Sequence, residues 1–328
     1  MHRVCKLFLL FTFFLSASGL IGVGGFDVKK SGNHYVFHDK NTSLPSKNIT
    51  EVVSQYSPNV NAISIWITKE WKDSWYPIET VQKEIVDKGY TPVFIFYWFG
   101  DEISLKYIKK NRHSYFTTLR KFTDYLKQLH GQKIVVLNPE YNMFGVGKWE
   151  GMNDIFLKSF KMLREDPQVL VGPCVGDFGN YGLVNEPKEW KLFDKSLHKA
   201  AKASDFIAFQ EMRALTRNKE EEILNTPQRA FHFSKYLYDT YHKPTLLAYL
   251  AISTYGDKGK VIQAEVYKQF IPFVSRMQEE ANLLYFGIFH YFDYPGHVGY
   301  FNAAEEYFGV LEANGTRKPS LEYFNRLK

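Results

Sequence analysis

Eight short apolar runs, alternating with amphipathic stretches and broken by no linker, predict a single-domain (β/α)8 (TIM) barrel. Two further observations support that class. The amphipathic stretches repeat apolar residues at helical spacing, as in Phe116, Leu119, Phe122, Leu126 and Leu129. The first run also lacks the G-x-G-x-x-G turn that an open doubly wound sheet would carry, since Gly22, Gly24 and Gly25 do not fit it.

Taken in order, the runs fall at residues 20–26, 62–67, 92–97, 133–137, 169–174, 206–210, 245–249 and 285–291. Each is short, apolar and rich in β-branched or aromatic residues, which suits parallel strands buried on both faces. Helix-like segments at 78–88, 114–129, 152–163 and 189–203 lie between them. Gly89 and Gly131 stand where two of these helices should end.

Ahead of the first run, residues 1–19 read as a secretory signal peptide, leaving 20–328 as the barrel domain. Arg3 and Lys6 form a basic start, an apolar stretch follows, and Ser16-Ala17-Ser18-Gly19 supplies small residues for cleavage. An uncleaved anchor is the alternative, because apolar residues continue to Val23. Sequons at Asn41, Asn48 and Asn314 suit a secreted or lumenal glycoprotein with no membrane attachment after cleavage. Cys5 belongs to the leader, so Cys174 is left without an intrachain disulfide partner and reads as a small buried hydrophobe. The net charge of +6 is mixed in sign along the chain and forms no nucleic-acid footprint. No cofactor or metal is expected, because the first strand carries no paired histidines. No inward strand-end lysine stands out for Schiff-base chemistry. The segment 254–259 is a weak phosphate signal. A monomer is expected.

In a barrel, chemistry sits where the strands end at their carboxyl side. Two classes of residue gather there. All six tryptophans fall at or just after a strand end, Trp190 at a helix start, and Tyr97, Phe99, Tyr141, Phe144, Tyr291 and Phe292 accompany them. Flat rings with polar tips stack on sugars, although aromatics can equally cap the upper core. Carboxylates gather as well: Glu140 after the fourth run, Asp177 after the fifth, Glu211 after the sixth, Asp293 after the eighth, with Asp101 and Glu102 after the third. Glycosidic cleavage needs two carboxyl groups flanking the bond. Glu140 and Glu211 are the expected pair, with Asp177 and Asp293 as further candidates. Each has a structural alternative: an ion pair with Arg213 for Glu211, and turn positions for the two aspartates. Trp66, Tyr97, Trp98, Asn138, Gln210 and Tyr291 are the expected substrate-binding residues. His290 and His297 are possible hydrogen-bond donors.

At these residues the chain resembles the retaining (β/α)8 glycoside hydrolases of clan A, which include β-mannanases and related endo-glycanases. The likeness is diffuse over the mature chain and rests on IGVGGF, NVNAISIWI, VVLNPEYN and the tail FGVLEANGTRKPSLEYF. It implies a carbohydrate substrate and places the acid/base residue at Glu140. Two features depart from the family. Pro139 separates the Asn and Glu that are usually adjacent. The strand expected to hold the nucleophile, 244–253, has no carboxylate. Asn185-Glu186-Pro187 matches the family's NEP letters but falls before a helix and reads as a helix start. The resulting expectation is a secreted glycosidase with a two-carboxylate mechanism; the alternative is a catalytically inactive glycan-binding barrel.

Overall fold

The computed structural model describes residues 19–24, 29–31, 34–36 and 49–328. Residues 1–18 of the expected leader, the Gly25-Phe26 end of the first run and the sequons at Asn41 and Asn48 lie outside them. Asn314 is exposed, in a turn.

Eight strands close into one parallel barrel: β1 (Leu20–Val23), β2 (Ala62–Ile67), β3 (Thr91–Phe96), β4 (Lys133–Leu137), β5 (Val169–Gly176), β6 (Ile207–Arg213), β7 (Thr245–Ile252) and β8 (Leu283–Ile288). Each strand pairs with its chain neighbour, and β8 closes on β1. A short antiparallel pair, Lys29–Ser31 with His34–Val36, follows β1. The helices that pack outside include α1 (Ile49–Tyr56), α2 (Ile78–Val81), α3 (Leu105–Leu126), α4 (Met152–Leu163), α5 (Pro187–Trp190), α6 (Asp194–Ala203), α7 (Glu220–Leu224), α8 (Thr226–Tyr241), α9 (Gly259–Ala281) and α10 (Ser320–Phe324). The single-domain barrel expected from the sequence is therefore the fold. Gly89 and Gly131 take the left-handed backbone expected of helix-ending residues, with φ of 85° and 84°.

Alternation along each strand divides the core in two. Inward residues such as Val93, Ile95, Ile134, Val136, Ala208 and Leu246 fill the barrel. Outward residues such as Ile65, Phe94, Val135, Phe209 and Leu247 pack under the helices. Tyr285 fills the interior because Gly22 and Gly287 face it: a Cβ would lie 2.2 Å from its hydroxyl oxygen at Gly22 and 2.5 Å at Gly287. One irregularity matters for the site. Between β6 and β7 the register skips, Phe209 facing Leu247 and Gln210 facing Tyr249. The bulge on β7 turns both Ala248 and Tyr249 into the interior cluster.

The strands differ in length from the runs read in the sequence. β5 continues to Gly176, β6 to Arg213 and β7 to Ile252, while β8 stops at Ile288. The extension of β6 places Glu211 within the strand, so strand alternation sets its direction.

Beyond β8 the chain folds back over the barrel's carboxyl end. Leu311 bridges to Phe292 and Arg317. Asn59 then donates to the carbonyls of Phe324 and Leu327, tying the tail to the segment after α1.

Candidate active site

Glu140 reaches the mouth because the backbone reverses sharply after β4. Asn138 and Glu140 both adopt left-handed conformations, with φ of 49° and 61°, flanking Pro139. Non-glycine residues are strained there, and such strain collects where a side chain must be aimed. The Asn138 amide still donates to the Phe96 carbonyl at 2.9 Å, extending the ladder by one residue. Glu140 then lies half-buried over the barrel axis. Its Oε1 accepts the Tyr249 hydroxyl from β7 at 3.0 Å. Burial pushes its carboxyl up to about 7; the Tyr249 hydrogen bond opposes this, and the charges of Asp101 and Glu305 add to it. A group that holds its proton to neutral pH yet meets solvent has the properties of a general acid.

Aromatic rings wall the mouth. Trp66, inward at the end of β2, lies 5.6 Å from Tyr97, 5.2 Å from Tyr249 and 5.3 Å from Phe289, centroid to centroid. Phe289 stacks on His290 at 4.0 Å, and His290 lies 5.2 Å from His297. The Tyr97 hydroxyl donates to Asp101, an exposed carboxylate in the loop after β3. Glu305 sits on the turn 302–307 after β8, accepting the Phe301 amide at 2.9 Å with His297 Nε2 at 3.6 Å. Among the buried polar atoms without a hydrogen-bond partner in the described residues are Gln210 Oε1, on the inward face of β6, and His290 Nδ1. Burial holds the His290 imidazole neutral, its proton affinity well below the ordinary histidine value.

Several expected site residues are elsewhere. Glu211 does not face Glu140. It follows inward Gln210 on β6, so alternation sends it outward, where it is fully buried and bonded to Arg213 at 2.7 Å. This is the ion-pair alternative that its neighbour suggested. Asp177 belongs to the same sealed cluster, accepting from Arg229 of α8 at 2.7 Å and from the Trp190 indole at 2.8 Å. Burial and the nearby Asp177 raise the Glu211 carboxyl well above the carboxylate range, against the pull of Arg213. Asp293 is also structural. Lys318 of the tail donates to it at 2.5 Å and the Gly309 amide at 3.0 Å. Glu186 of the NEP triplet precedes α5 and pairs with Arg229 at 2.8 Å, so the triplet is a helix start.

Three expected binding residues point into the outer layer. Trp98 follows inward Tyr97 and packs edge-on against Tyr115 of α3 at 5.6 Å. Asn138 donates to the Tyr115 hydroxyl at 3.1 Å, steadying the turn that carries Glu140. Tyr291 donates to Ser57 at 2.9 Å. Trp71 and Trp190 are likewise buried among outer-layer rings. The rim tryptophans are thus mostly upper-core packing, and among them Trp66 faces the mouth. Trp66, Tyr97 and Gln210 do converge on Glu140's surroundings.

Sequence reasoning missed Tyr249, Phe289 and Glu305 as members of the mouth. Tyr249 ends an unremarkable apolar run, and only the bulge turns it inward. Glu305 lies in a long segment after the last strand with no local motif. To one side, Asn142, Lys148, Gly176, Phe178, Trp190 and Phe193 line a cavity of about 190 Å³ that does not include Glu140.

No family model matches the sequence, and no curated protein matches it. Solved structures do match the fold. A β-D-glucuronidase from Dictyoglomus thermophilum superposes with a TM-score of 0.59 at 12% identity over 93% of this chain and 49% of its own. A psychrophilic family 10 endo-β-1,4-xylanase gives 0.56 at 12% identity over 95% and 97%. A family 39 glycoside hydrolase from Bacteroides cellulosilyticus WH2 gives 0.58 at 11% over 94% and 63%. The chain spans about half the length of the glucuronidases it matches and nearly all of the family 10 xylanase. These structures share its closed eight-stranded barrel, so the expected likeness to (β/α)8 glycoside hydrolases extends to the three-dimensional fold.

Proposed function

We propose that the protein is an exported glycoside hydrolase in which Glu140 is the proton donor. The observation that carries this reading is the Glu140 carboxyl at the barrel mouth, half-buried, pushed up to about 7 by burial and bordered by aromatic rings. The half-buried rings of Trp66, Tyr97 and Phe289 offer apolar surface for a sugar. Gln210 and His290 offer buried polar atoms that a ligand hydroxyl would satisfy. Glu140 would protonate the departing glycosidic oxygen. Asp101, exposed and bonded to Tyr97, and Glu305 are the candidates for the second carboxylate, since the charges of both act on Glu140. The sugar-cleaving activities named for the fold neighbours agree with a carbohydrate substrate.

A reducing-sugar screen over plant, fungal and bacterial polysaccharides tests the activity, and Glu140→Gln tests the site. General acid catalysis contributes roughly 10²–10⁴-fold, so hydrolysis should fall by that factor while oligosaccharide binding persists. Unchanged turnover in the variant removes Glu140 from the role. One observation favours a second reading, a catalytically silent glycan-binding barrel: β7 carries no carboxylate, and Tyr249 occupies the place facing Glu140. That reading expects saturable quenching of tryptophan fluorescence by oligosaccharides with no reducing ends released.

A further inference from the structure

Glu140 is held at three levels. The turn lifts it on two left-handed residues. The Cys174 thiol lies close to the Glu140 backbone amide; burial, then the Glu140 charge, raise its proton affinity well above the ordinary thiol value, and the amide opposes them. From the opposite wall the Tyr249 hydroxyl binds one carboxyl oxygen, Oε1. The other oxygen, Oε2, makes no hydrogen bond among the described residues. Tyr249 is itself fixed. The β7 bulge turns it inward, and Trp66 and Phe289 pack on its ring at 5.2 Å and 5.5 Å. Other titratable groups around the carboxyl are Tyr97 and Asp101 after β3, Cys174 of β5 and Glu305 beyond β8. His290 and His297 lie behind Phe289.

We propose that Tyr249 is the positioning residue of Glu140, pinning Oε1 by its hydroxyl so that Oε2 alone carries the exchangeable proton toward the mouth. The phenol does not act as a nucleophile. Burial, then the Glu140 charge, raise its proton affinity well above the ordinary phenol value, so it stays protonated and donates. A hydrogen bond donated to a carboxylate favours the charged form. Its loss must therefore raise the proton affinity of Glu140, whereas a change in packing alone has no such fixed sign. The catalytic consequence rests on Glu140 being the acid proposed above; the pairing itself does not.

The test reads the pairing without substrate. Glutamate labelled with ¹³C at the side-chain carboxyl is incorporated, and the Glu140 resonance is identified as the one lost in Glu140→Gln. Tyr249→Phe should move its titration midpoint upward by about one unit, the size expected for one hydrogen bond to a charged group. Tyr97→Phe, which removes a hydroxyl bonded to Asp101 instead, should not move it upward by that amount. An unmoved or lowered midpoint in a Tyr249→Phe protein with native near-ultraviolet circular dichroism overturns the proposal. If that variant does not fold, the wild-type Glu140 carboxyl and Tyr249 hydroxyl decide it. An NMR coupling or cross-peak between them upholds the bond, and its absence overturns it. Once a substrate is known, Tyr249→Phe should shift the alkaline limb of the kcat profile upward and lower kcat more than it raises KM. Failure of every glycan screen would sink the hydrolase reading and leave the titration result standing.

Discussion

Two groups of carboxylates lie close to the barrel's carboxyl end and behave in opposite ways. At the mouth, Glu140 has one neutral donor, Tyr249, and partial access to solvent. One strand layer outward, Glu211 and Asp177 are sealed from solvent and held by Arg213 and Arg229. Both regions contain strand-end acids and aromatic rings. They differ in whether a cation accompanies the acid indoors. Sealed among arginines, Glu211 and Asp177 are immobile and out of reach of solvent, which is architecture. A half-buried carboxyl beside a phenol keeps an exchangeable proton near neutral pH, which is chemistry. The same contrast explains why strand alternation matters so much: adjacent Gln210 and Glu211 serve the two regions separately.

The sharpest way to break this comparison is Glu140→Gln against Glu211→Gln. The first should cost roughly 10²–10⁴-fold in hydrolysis. The second should leave the pH dependence of turnover unchanged and act on melting alone. A matching loss of proton-dependent rate in both would erase the distinction.

Next in size is the sealed cluster. Asp177→Ala leaves Arg229 without its main carboxylate in a dry site, and urea titration should read a loss of about 3–5 kcal/mol. A loss below about 1 kcal/mol would mean that water reaches the cluster.

A smaller effect concerns the tail. Lys318→Ala strands buried Asp293, whose carboxyl burial already pushes up to about 6 despite the lysine. Destabilisation of about 1–3 kcal/mol is expected in denaturant melts at pH 8, shrinking at pH 5 as Asp293 takes up a proton.

A last effect has an unusual sign. The folded Glu140 carboxyl sits at about 7, above its unfolded value, so the native state binds the extra proton. Stability contributed by this group is present at low pH and falls as pH rises from the unfolded value through about 7. Glu140→Gln should therefore melt a few degrees above the wild type at pH 8 and nearly with it at pH 5. Equal differences at the two pH values would show that Glu140 ionises freely.

The barrel was legible in the sequence because burial on both faces writes parallel strands as apolar runs, and helices mark themselves by spacing and glycine ends. Glu140 was legible for a similarly local reason: it follows such a run directly, after Asn138 and Pro139. Trp66, Tyr97 and Gln210 were legible as strand-end residues. The pairing of Glu140 with Glu211 was not, because β6 runs on past Gln210 and one residue of extra strand reverses which layer a side chain enters. Trp98 and Tyr291 were misplaced for another reason: both lie past the ends of their strands and turn to Tyr115 of α3 and to Ser57. Tyr249 and Glu305 came to the mouth through a bulge and a long returning segment, neither of which has a local signature.

Sequence by itself determined the class of fold, the order of its strands and the one acid that ends β4, since each depends on hydrophobicity and spacing within a few residues. Tertiary structure alone decided which acids meet, which are sealed among arginines, and that a tyrosine from β7 faces Glu140. Those outcomes turn on register across neighbouring strands and on contacts between residues as far apart as Glu140 and Tyr249, where no short-range pattern constrains the chain.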